Sequence, residues 1–306
     1  MLIPNQSNSI SQDQINQFQR DGFLIVENFI DFESAQSVAS RFERLFKGQF
    51  ETTVPPDEWR WVEGRDPVDV TRMIWNAWKS DLTVARLALS EKVGEWCAQL
   101  GGWSGTRLNQ DGCLWKPPGA AGLAYHQDAI YNQWIVPSDV ITCWITLDDA
   151  SSENGSIEYV KGSHLWGVGP KPLDFHKPED YQAMVKQAAI EAGQDLEVIK
   201  VQVPVGGATF HHGWLWHGSG PNTSMAHRRV VALHCMQKDA EFHPTHPAYA
   251  QGRYRKFGST TLEESFYPIL WSRDGYRSEF IEGYIHGKGL EYQSHSWKKK
   301  ENTSLK

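Results

Sequence analysis

The spacing of apolar residues divides the chain into a helical first part and a strand-rich second part. In residues 11–102 apolar positions recur every three or four residues, as between Phe32 and Phe46, a segment that follows a potential helix cap at Asp31. After Gly102 the apolar runs are short and are separated by turns. Eight short strands of this kind indicate a barrel or a sandwich. The predicted strands are residues 108–116, 124–128, 140–147, 155–160, 197–203, 208–212, 216–218 and 229–236.

One of these strands shows which face of the sheet is polar. In residues 140–147 the odd-numbered positions are apolar, whereas the even-numbered positions include Thr142, Trp144 and Thr146. Side chains alternate between the two faces of a strand, so one face can pack beneath the N-terminal helices while the other lines a polar interior. The pattern therefore predicts a mainly β protein with flanking α-helices.

The chain shows no internal repeat or low-complexity segment that would divide it, and 306 residues suit one large β domain. We predict a single domain in which helices buttress a β core. A loop rich in Pro and Gly, residues 51–69, interrupts the helical part. The predicted parts are flexible ends at 1–10 and 294–306, a buttress at 11–102, a β core at 103–238 with an insertion at 167–195, and a C-terminal cover at 239–293.

Composition and charge narrow the functional classes. A net charge of −7 gives no sign of a basic face, so we expect no nucleic-acid partner. No apolar stretch reaches the roughly 18 residues of a membrane span, and no signal pattern opens the chain, so we expect a cytoplasmic protein without membrane association. The cysteines lack C-x-x-C spacing, which indicates neither a disulfide framework nor a thiolate zinc site. They are Cys97, Cys113, Cys143 and Cys235.

Candidate metal ligands occur in the segment Tyr125-His126-Gln127-Asp128. On a strand, His126 and Asp128 project from the same face. Two neutral imidazoles and one carboxylate can hold Fe(II) on one side and leave the other side open for oxygen and an organic co-substrate. Such a site needs a second histidine from a distant strand. Of the 12 histidines, His217 is the best candidate, because it follows an aromatic strand and precedes small residues.

A buried cation is predicted near these ligands. Arg228 stands eleven residues after His217 and opens an apolar run, where a guanidinium needs an anionic partner. The partner is either a bound carboxylate or an aspartate of the chain, and the spacing leaves both open. His234 has the same strand parity as Arg228 and is predicted to face the interior. Packing or hydrogen-bonding roles are predicted for His164, His211 and His212.

Seven motifs follow one another in a defined order. They are Arg20-Asp21-Gly22-Phe23, Lys116-Pro117-Pro118-Gly119, His126-Gln127-Asp128, Asn154-Gly155-Ser156, Gly162-Ser163-His164, His217-Gly218-Ser219-Gly220 and Arg228. In this order the chain resembles the phytanoyl-CoA dioxygenase family of Fe(II)/2-oxoglutarate oxygenases. The resemblance implies a double-stranded β-helix, or jelly-roll, core of cupin-like type. It also implies the cofactors Fe(II), 2-oxoglutarate and O2.

The resemblance further implies roles for individual residues. The implied iron ligands are His126, Asp128 and His217. Arg228 would bind the distal carboxylate of 2-oxoglutarate with help from the Ser219 hydroxyl, and Trp144 would line the co-substrate pocket. Arg229 ranks second to Arg228, because strand alternation directs it to the opposite face. The carboxylate at Asp128 favours hydroxylation over halogenation, which in related enzymes needs a small residue there.

The implied activity is the hydroxylation of an aliphatic carbon of a small molecule, with 2-oxoglutarate decarboxylated to succinate. A secondary-metabolite intermediate is the expected substrate. The 14 tryptophans predict aromatic contacts with it, although the tryptophans of residues 51–69 can equally serve to pin that loop. The candidate substrate-binding residues are Trp59, Trp61, Trp75, Tyr131 and Trp134. Two alternatives remain open: a cupin-like hydrolase or isomerase that uses another divalent ion, and a non-catalytic ligand-binding barrel.

Overall fold

The structure is a computed structural model of the chain, and it describes residues 10–287. Residues 1–9 and the predicted flexible segment 294–306 lie outside the described residues. Ile10, which the sequence places in the N-terminal arm, is buried against the helices. No helix within residues 10–287 is long and apolar enough to cross a membrane.

The α-helices of the described chain lie mostly before the β core. Ser11 caps the first helix through a capping box with Gln14, and Asp31 and Asp81 cap two others by accepting backbone N–H groups. The predicted helix from Phe32 divides into two short helices. The helices are α1 Gln12–Asp21, α2 Phe32–Ala39, α3 Phe42–Phe46, α4 Leu82–Ala88, α5 Glu91–Gly101, α6 Ala183–Ala192 and α7 Phe280–Ile285.

The strands follow the short apolar runs of the sequence. They are β1 Phe23–Val26, β2 Glu58–Trp59, β3 Arg72–Trp75, β4 Gly105–Lys116, β5 Leu123–His126, β6 Ile135–Val136, β7 Val140–Thr146, β8 Ile157–Val160, β9 Val198–Lys200, β10 Ala208–His212, β11 His217–Ser219, β12 Arg228–Gln237, β13 Glu241–Phe242 and β14 Ile269–Ser272.

The larger sheet is antiparallel, and its strand order is β1-β10-β7-β12-β4-β3-β2, with β14 also paired to β4. The odd positions of β7, such as Cys143 and Ile145, pack with Val93 and Cys97 of α5 in the largest buried cluster. Burial of this apolar face against the helices fixes the register, since a shift by one residue would expose it to water. The prediction that one face of this strand packs beneath helices is confirmed.

The smaller sheet is also antiparallel, with the order β5-β11-β8-β9. A second buried cluster joins the two sheets, and it includes Trp144 of β7, Val230 of β12 and Tyr159 of β8. The two sheets therefore face each other across an interior that both of them line. The polar positions of β7 point into this interior.

All eight predicted strands are present, with ends that differ by a few residues. One difference concerns Asp128: β5 ends at His126, and Asp128 begins a single 3₁₀ turn. A ninth strand, β1, matches the short apolar run 23–26, which also reads as a strand, and five strands were not predicted, namely β2, β3, β6, β13 and β14. They are runs of two to four residues that gain stability from pairing with β3, with β4 or, for β6 and β13, with each other, rather than from their own pattern.

Candidate active site

Strand pairing brings the two predicted histidine ligands together. His126 ends β5 and lies directly opposite His217, which begins β11. The Oδ1 atom of Asp128 lies 3.5 Å from His126 Nε2 and 3.5 Å from His217 Nε2. The three candidate ligand atoms lie within 4.8 Å of one another, so one metal ion can contact all of them.

Backbone carbonyl groups fix the orientation of both imidazoles. The Nδ1 atom of His126 lies 2.9 Å from the carbonyl oxygen of Ala124, and His217 Nδ1 lies 2.9 Å from that of Leu215. A carbonyl oxygen only accepts, so each Nδ1 carries the proton and each Nε2 offers a lone pair toward Asp128. Hydrogen bonds of this kind hold histidine ligands in the tautomer that binds metal.

The second carboxylate oxygen of Asp128 is held by side chains of the larger sheet. Its Oδ2 atom accepts a hydrogen bond of 2.6 Å from the hydroxyl of Thr142. It also lies 3.1 Å from His211 Nε2 and 3.4 Å from His234 Nδ1. These contacts leave Oδ1 free to bind a metal in a fixed direction. The prediction that His234 faces the interior holds, and His211 is the member of the His211-His212 pair that reaches the site.

The protonation states also suit a metal. Burial lowers the pKa of His126, and it lowers that of His211 to about 3. Burial opposes ionisation of Asp128, but the neighbouring histidines, foremost His217 and His234, outweigh it and hold the pKa of that carboxyl well below its usual range. Neutral imidazoles and an anionic carboxylate are the forms in which these residues bind metal ions. The residues present therefore fit an Fe(II) ion.

Arg228 is a buried cation without an ionic partner among residues 10–287. It begins β12, and its side chain is 3% exposed. Its Nε atom has no hydrogen-bond acceptor within the described chain, and burial lowers its pKa to about 10. Its guanidinium carbon lies 5.5 Å from the centre of the Trp144 ring. An unpaired buried guanidinium favours an anionic ligand, because the ligand would offset the cost of burial.

A cavity joins the metal ligands to this arginine. It has an empty volume of about 650 Å³ that is continuous with solvent. Its lining includes Arg228, Ser219 and Trp144, so the structure places all three predicted co-substrate residues at one cavity. Arg229 takes the opposite face, as strand alternation predicts, and pairs there with Asp148 at 2.6 Å.

The five predicted substrate residues occupy different places. Trp75 lines the cavity, and its ring centre lies 5.7 Å from that of His234. Tyr131 is exposed and lies outside the cavity lining, with its ring centre 6.1 Å from that of His126. The other three are absent from the cavity lining formed by residues 10–287. They are Trp59, Trp61 and Trp134.

These three tryptophans have packing contacts instead. Trp59 packs against Phe50, which agrees with the alternative that it pins the loop. The ring centre of Trp61 lies 3.9 Å from the guanidinium carbon of Arg72. Trp134 is buried in a separate cluster with Phe242. A period of two along a strand shows which face a side chain takes, but a loop has no such period, so the sequence could not separate these tryptophans from Trp75.

Sequence reasoning missed several residues of the cavity. Met73 and Thr71 reach it from β3 and the residue before it, and Phe175 reaches it from the insertion, with its ring 4.7 Å from that of His126. Thr142 was noted for its parity but not for its hydrogen bond to the carboxylate. The alternation Thr71, Met73, Trp75 was the one available signal for the β3 residues.

The fold is that of 2-oxoglutarate-dependent non-haem iron enzymes. The carbocyclase SnoK from nogalamycin biosynthesis matches with a TM-score of 0.66 at 21% identity, covering 88% of this chain and 99% of that chain. The epimerase SnoN of the same biosynthesis, solved in complex with Fe3+, α-ketoglutarate and nogalamycin RO, matches with a TM-score of 0.65 at 22% identity over 85% and 98% of the two chains. These matches confirm the predicted cupin-like core with flanking helices.

The family model described as phytanoyl-CoA dioxygenase (PhyH) matches residues 18–230, and the chain belongs to this family. A probable α-ketoglutarate-dependent hypophosphite dioxygenase of Stutzerimonas stutzeri is 25% identical over 230 residues, which are 74% of this chain and 79% of that protein. The protein is therefore an oxidoreductase of the 2-oxoglutarate-dependent non-haem iron dioxygenase class, with Fe(II) and 2-oxoglutarate as its cofactors. The predicted family, enzyme class and cofactors are confirmed.

Proposed function

We propose that this protein hydroxylates an aliphatic carbon of a small organic molecule, an intermediate of secondary metabolism. His126, Asp128 and His217 bind Fe(II), and Arg228, Ser219 and Trp144 bind 2-oxoglutarate. The observation that carries the proposal is the His126-Asp128-His217 triad in one cavity with an unpaired arginine. The proposed reaction uses Fe(II) as cofactor, 2-oxoglutarate and O2 as co-substrates, and a small molecule as substrate.

The polar groups that lack partners support the co-substrate site. Arg228 Nε and Thr71 Oγ1 are buried atoms without hydrogen-bond partners among the described residues, and both residues line the cavity. Buried polar groups are normally satisfied in native proteins. A carboxylate held by Arg228 would satisfy the guanidinium, and 2-oxoglutarate supplies that carboxylate together with a keto acid for the metal.

An apolar wall supports a substrate whose reacting part is uncharged. We define the apolar wall as Met73, Trp75 and Phe175, which line the cavity from β3 and the insertion. Phe175 contacts His126, and Trp75 contacts His234, and both histidines lie next to Asp128. An apolar wall next to the metal binds a hydrocarbon surface by removing it from water. It also shields the reacting carbon from competing polar groups.

The site residues have different tasks in the proposed reaction. Iron together with 2-oxoglutarate and O2 supplies the oxidising power to replace an unactivated C–H by C–OH. Asp128 and the two histidines hold the metal on one side, while Thr142 and His211 keep the carboxylate from rotating. Arg228 fixes the far end of 2-oxoglutarate, and the apolar wall orients the substrate carbon. Pre-arranged positions of this kind lower the entropic part of the barrier.

The choice of a natural-product intermediate draws on the matched enzymes SnoK and SnoN, whose names place them in nogalamycin biosynthesis. Their reactions, carbocyclisation and epimerisation, show which other outcomes the test must distinguish. A product heavier than the substrate by one oxygen atom supports hydroxylation. A loss of two hydrogen atoms indicates ring closure or desaturation, and an unchanged mass indicates epimerisation.

The first experiment needs no substrate. Anaerobic addition of Fe(II) and 2-oxoglutarate to the purified protein should produce a weak visible charge-transfer band, and admission of O2 should yield succinate. His217→Ala is the matched control and should give neither signal. A protein that binds metal but shows no band and forms no succinate would support the hydrolase or isomerase alternative. A His126→Ala protein that no longer binds metal but keeps its cellular role would support the ligand-binding barrel.

A further inference from the structure

A second buried cation lies beside Arg228. Lys116 ends β4, and it is paired with Arg228 on the adjacent strand β12. Its side chain is 0% exposed. Its Nζ atom donates a hydrogen bond of 2.8 Å to Ser219 Oγ and a second, short one to the carbonyl oxygen of Gly220. A fully buried lysine is rare unless an anion compensates it.

No carboxylate among residues 10–287 forms an ion pair with Lys116 within 4.0 Å. Glu158 exerts a favourable charge on it from a greater distance, but the carboxylate of Glu158 accepts a 2.9 Å hydrogen bond from the Tyr125 hydroxyl and weaker ones from Tyr181. Lys116 does not line the cavity itself, but it lies on the strand next to Arg228 and directly contacts Ser219, so two basic side chains stand near the same end of the cavity. Together they give a field that attracts a carboxylate there.

The direction of the hydrogen bond between Lys116 and Ser219 determines what the serine can do. A lysine ammonium has donors and no acceptor, so the Ser219 oxygen must accept from it. The Ser219 hydroxyl proton is then free to donate to another group. Ser219 lines the cavity together with Arg228, and the acceptor that fits this position is a carboxylate bound by the arginine.

We propose that Lys116 is a positioning residue for 2-oxoglutarate: it fixes the Ser219 hydroxyl as a hydrogen-bond donor to the distal carboxylate that Arg228 binds. Lys116 acts through Ser219 and does not need to contact the co-substrate. The inference rests on the proposed role of Arg228 and Ser219. Burial and the charge of Arg228 lower the pKa of Lys116, whereas a carboxylate bound nearby acts in the opposite direction and favours the ammonium form.

The backbone around Lys116 leaves room for this arrangement. Gly155 has φ of +70°, and a Cβ atom there would lie 3.0 Å from Lys116 Nζ and 2.7 Å from the carbonyl oxygen of Gly220. A side chain at position 155 would therefore displace the ammonium or its acceptor. The glycine of the Asn154-Gly155-Ser156 motif thus keeps open the space through which Lys116 reaches Ser219.

The test compares Lys116→Met, Ser219→Ala and the double variant with the unmodified protein, each loaded anaerobically with Fe(II). The dissociation constant is measured from the charge-transfer band for 2-oxoglutarate and for 2-oxovalerate, which lacks the distal carboxylate. Lys116→Met should weaken 2-oxoglutarate binding about tenfold and leave 2-oxovalerate binding within about twofold, in line with loss of one hydrogen bond to a charged group. The double variant should bind 2-oxoglutarate no more weakly than does the single variant with the lower affinity.

Methionine is close to lysine in volume and removes a buried charge, so Lys116→Met should keep its thermal midpoint. If that variant does not fold, Lys116→Leu serves in its place, because it is neutral, has no hydrogen-bond donor and also fits the space. Normal 2-oxoglutarate affinity in either folded variant would overturn the inference. Equal weakening of both keto acids, or additive effects in the double variant, would also overturn it. Failure of the unmodified protein to bind 2-oxoglutarate would instead refute the proposed co-substrate site itself.

Discussion

The two sides of the cavity are built in different ways. The metal and co-substrate side comes from paired strands of both sheets: β5 and β11 hold His126 and His217, and β12 holds Arg228. The apolar wall, formed by Met73, Trp75 and Phe175, comes from the four-residue strand β3 and from the insertion between β8 and β9. Among the first set, β11 pairs with β5 and β8, and β12 pairs with β4 and β7, whereas in the second set β3 is only four residues long and Phe175 lies outside any helix or strand.

The difference has a functional meaning. The part of the reaction that all members of the class share, binding of iron and 2-oxoglutarate, needs ligands held at fixed distances, and regular strands supply them. The substrate differs among enzymes on one fold, and loops or short strands can change without disturbing the sheets. We therefore expect substitutions on the first side to abolish or weaken cofactor binding, and substitutions in the apolar wall to alter substrate use alone.

The largest effect is expected from loss of a metal ligand. Asp128→Ala removes the one anionic ligand and leaves four histidines around the vacated position, so iron affinity should fall and succinate formation should drop below detection. Iron content after anaerobic gel filtration measures the effect. His286→Ala, at an exposed histidine directly after α7, is the control and should bind iron normally. An Asp128→Ala protein that binds iron with unchanged affinity and forms succinate at the normal rate would show that the triad is not the metal site.

The next effect concerns the two adjacent arginines. Arg228→Met should weaken 2-oxoglutarate binding about a hundredfold, since bonds between charged groups contribute roughly 1.5–3 kcal/mol each. Arg229→Met should leave that affinity unchanged, because Arg229 pairs with Asp148 on the opposite face of the sheet. Anaerobic titration with 2-oxoglutarate measures both variants. Equal losses in the two would mean that the opposite faces of β12 do not divide these roles.

A smaller effect is expected from the hydrogen bond that orients the carboxylate ligand. Thr142→Val keeps the shape of the side chain and removes the 2.6 Å hydrogen bond to Asp128 Oδ2. Loss of a partner that orients a ligand typically costs about 10–100-fold in metal affinity or activity. Competition with a chelator of known iron affinity measures the change. Thr209→Val, on the neighbouring strand β10 and hydrogen-bonded to Tyr159, is a control that should leave metal affinity within about threefold, since it does not touch a ligand.

The smallest effect on cofactor binding is expected for two buried or partly buried tryptophans. Trp75→Ala should leave iron and 2-oxoglutarate affinity unchanged and lower product formation, because Trp75 belongs to the apolar wall. Trp134→Ala should lower the free energy of unfolding by about 3–5 kcal/mol, because it leaves a hole in a closed core. Chemical denaturation and product assays distinguish the two. If Trp134→Ala altered substrate use at full stability, the assignment of these two tryptophans would be reversed.

Much of the metal site could be predicted because its information is local. His126 and Asp128 are separated by one residue, and their order with His217 and Arg228 follows a family motif. The backbone conformation differs from the prediction, because Asp128 lies in a 3₁₀ turn rather than on the strand. Its carboxylate still lies close to both histidines. The short distance along the chain tolerates either conformation, so the interpretation did not depend on it.

The apolar wall could not be predicted in the same way. The sequence contains many tryptophans, and their number indicated aromatic surfaces without showing which of them share a cavity. Trp75 and Trp134 look alike as single aromatic residues between turns, but one lines the cavity and the other is buried in a separate core. Which of them meets the ligand depends on the pairing of β3 with β4, a contact between residues far apart in sequence.

By itself, the sequence determined the class of enzyme, the three candidate iron ligands and the face of β12 that carries Arg228. The class of enzyme follows from the resemblance of the ordered motifs to the family, whereas the candidate ligands and the face of Arg228 follow from residue chemistry and from the alternation of side chains along a strand. Only the tertiary structure decided that His211, Thr142 and His234 surround Asp128, and that Lys116 is buried beside Ser219. Alternation specifies the face of a strand but not its neighbours, and the neighbours are set when the two sheets pack across a shared interior.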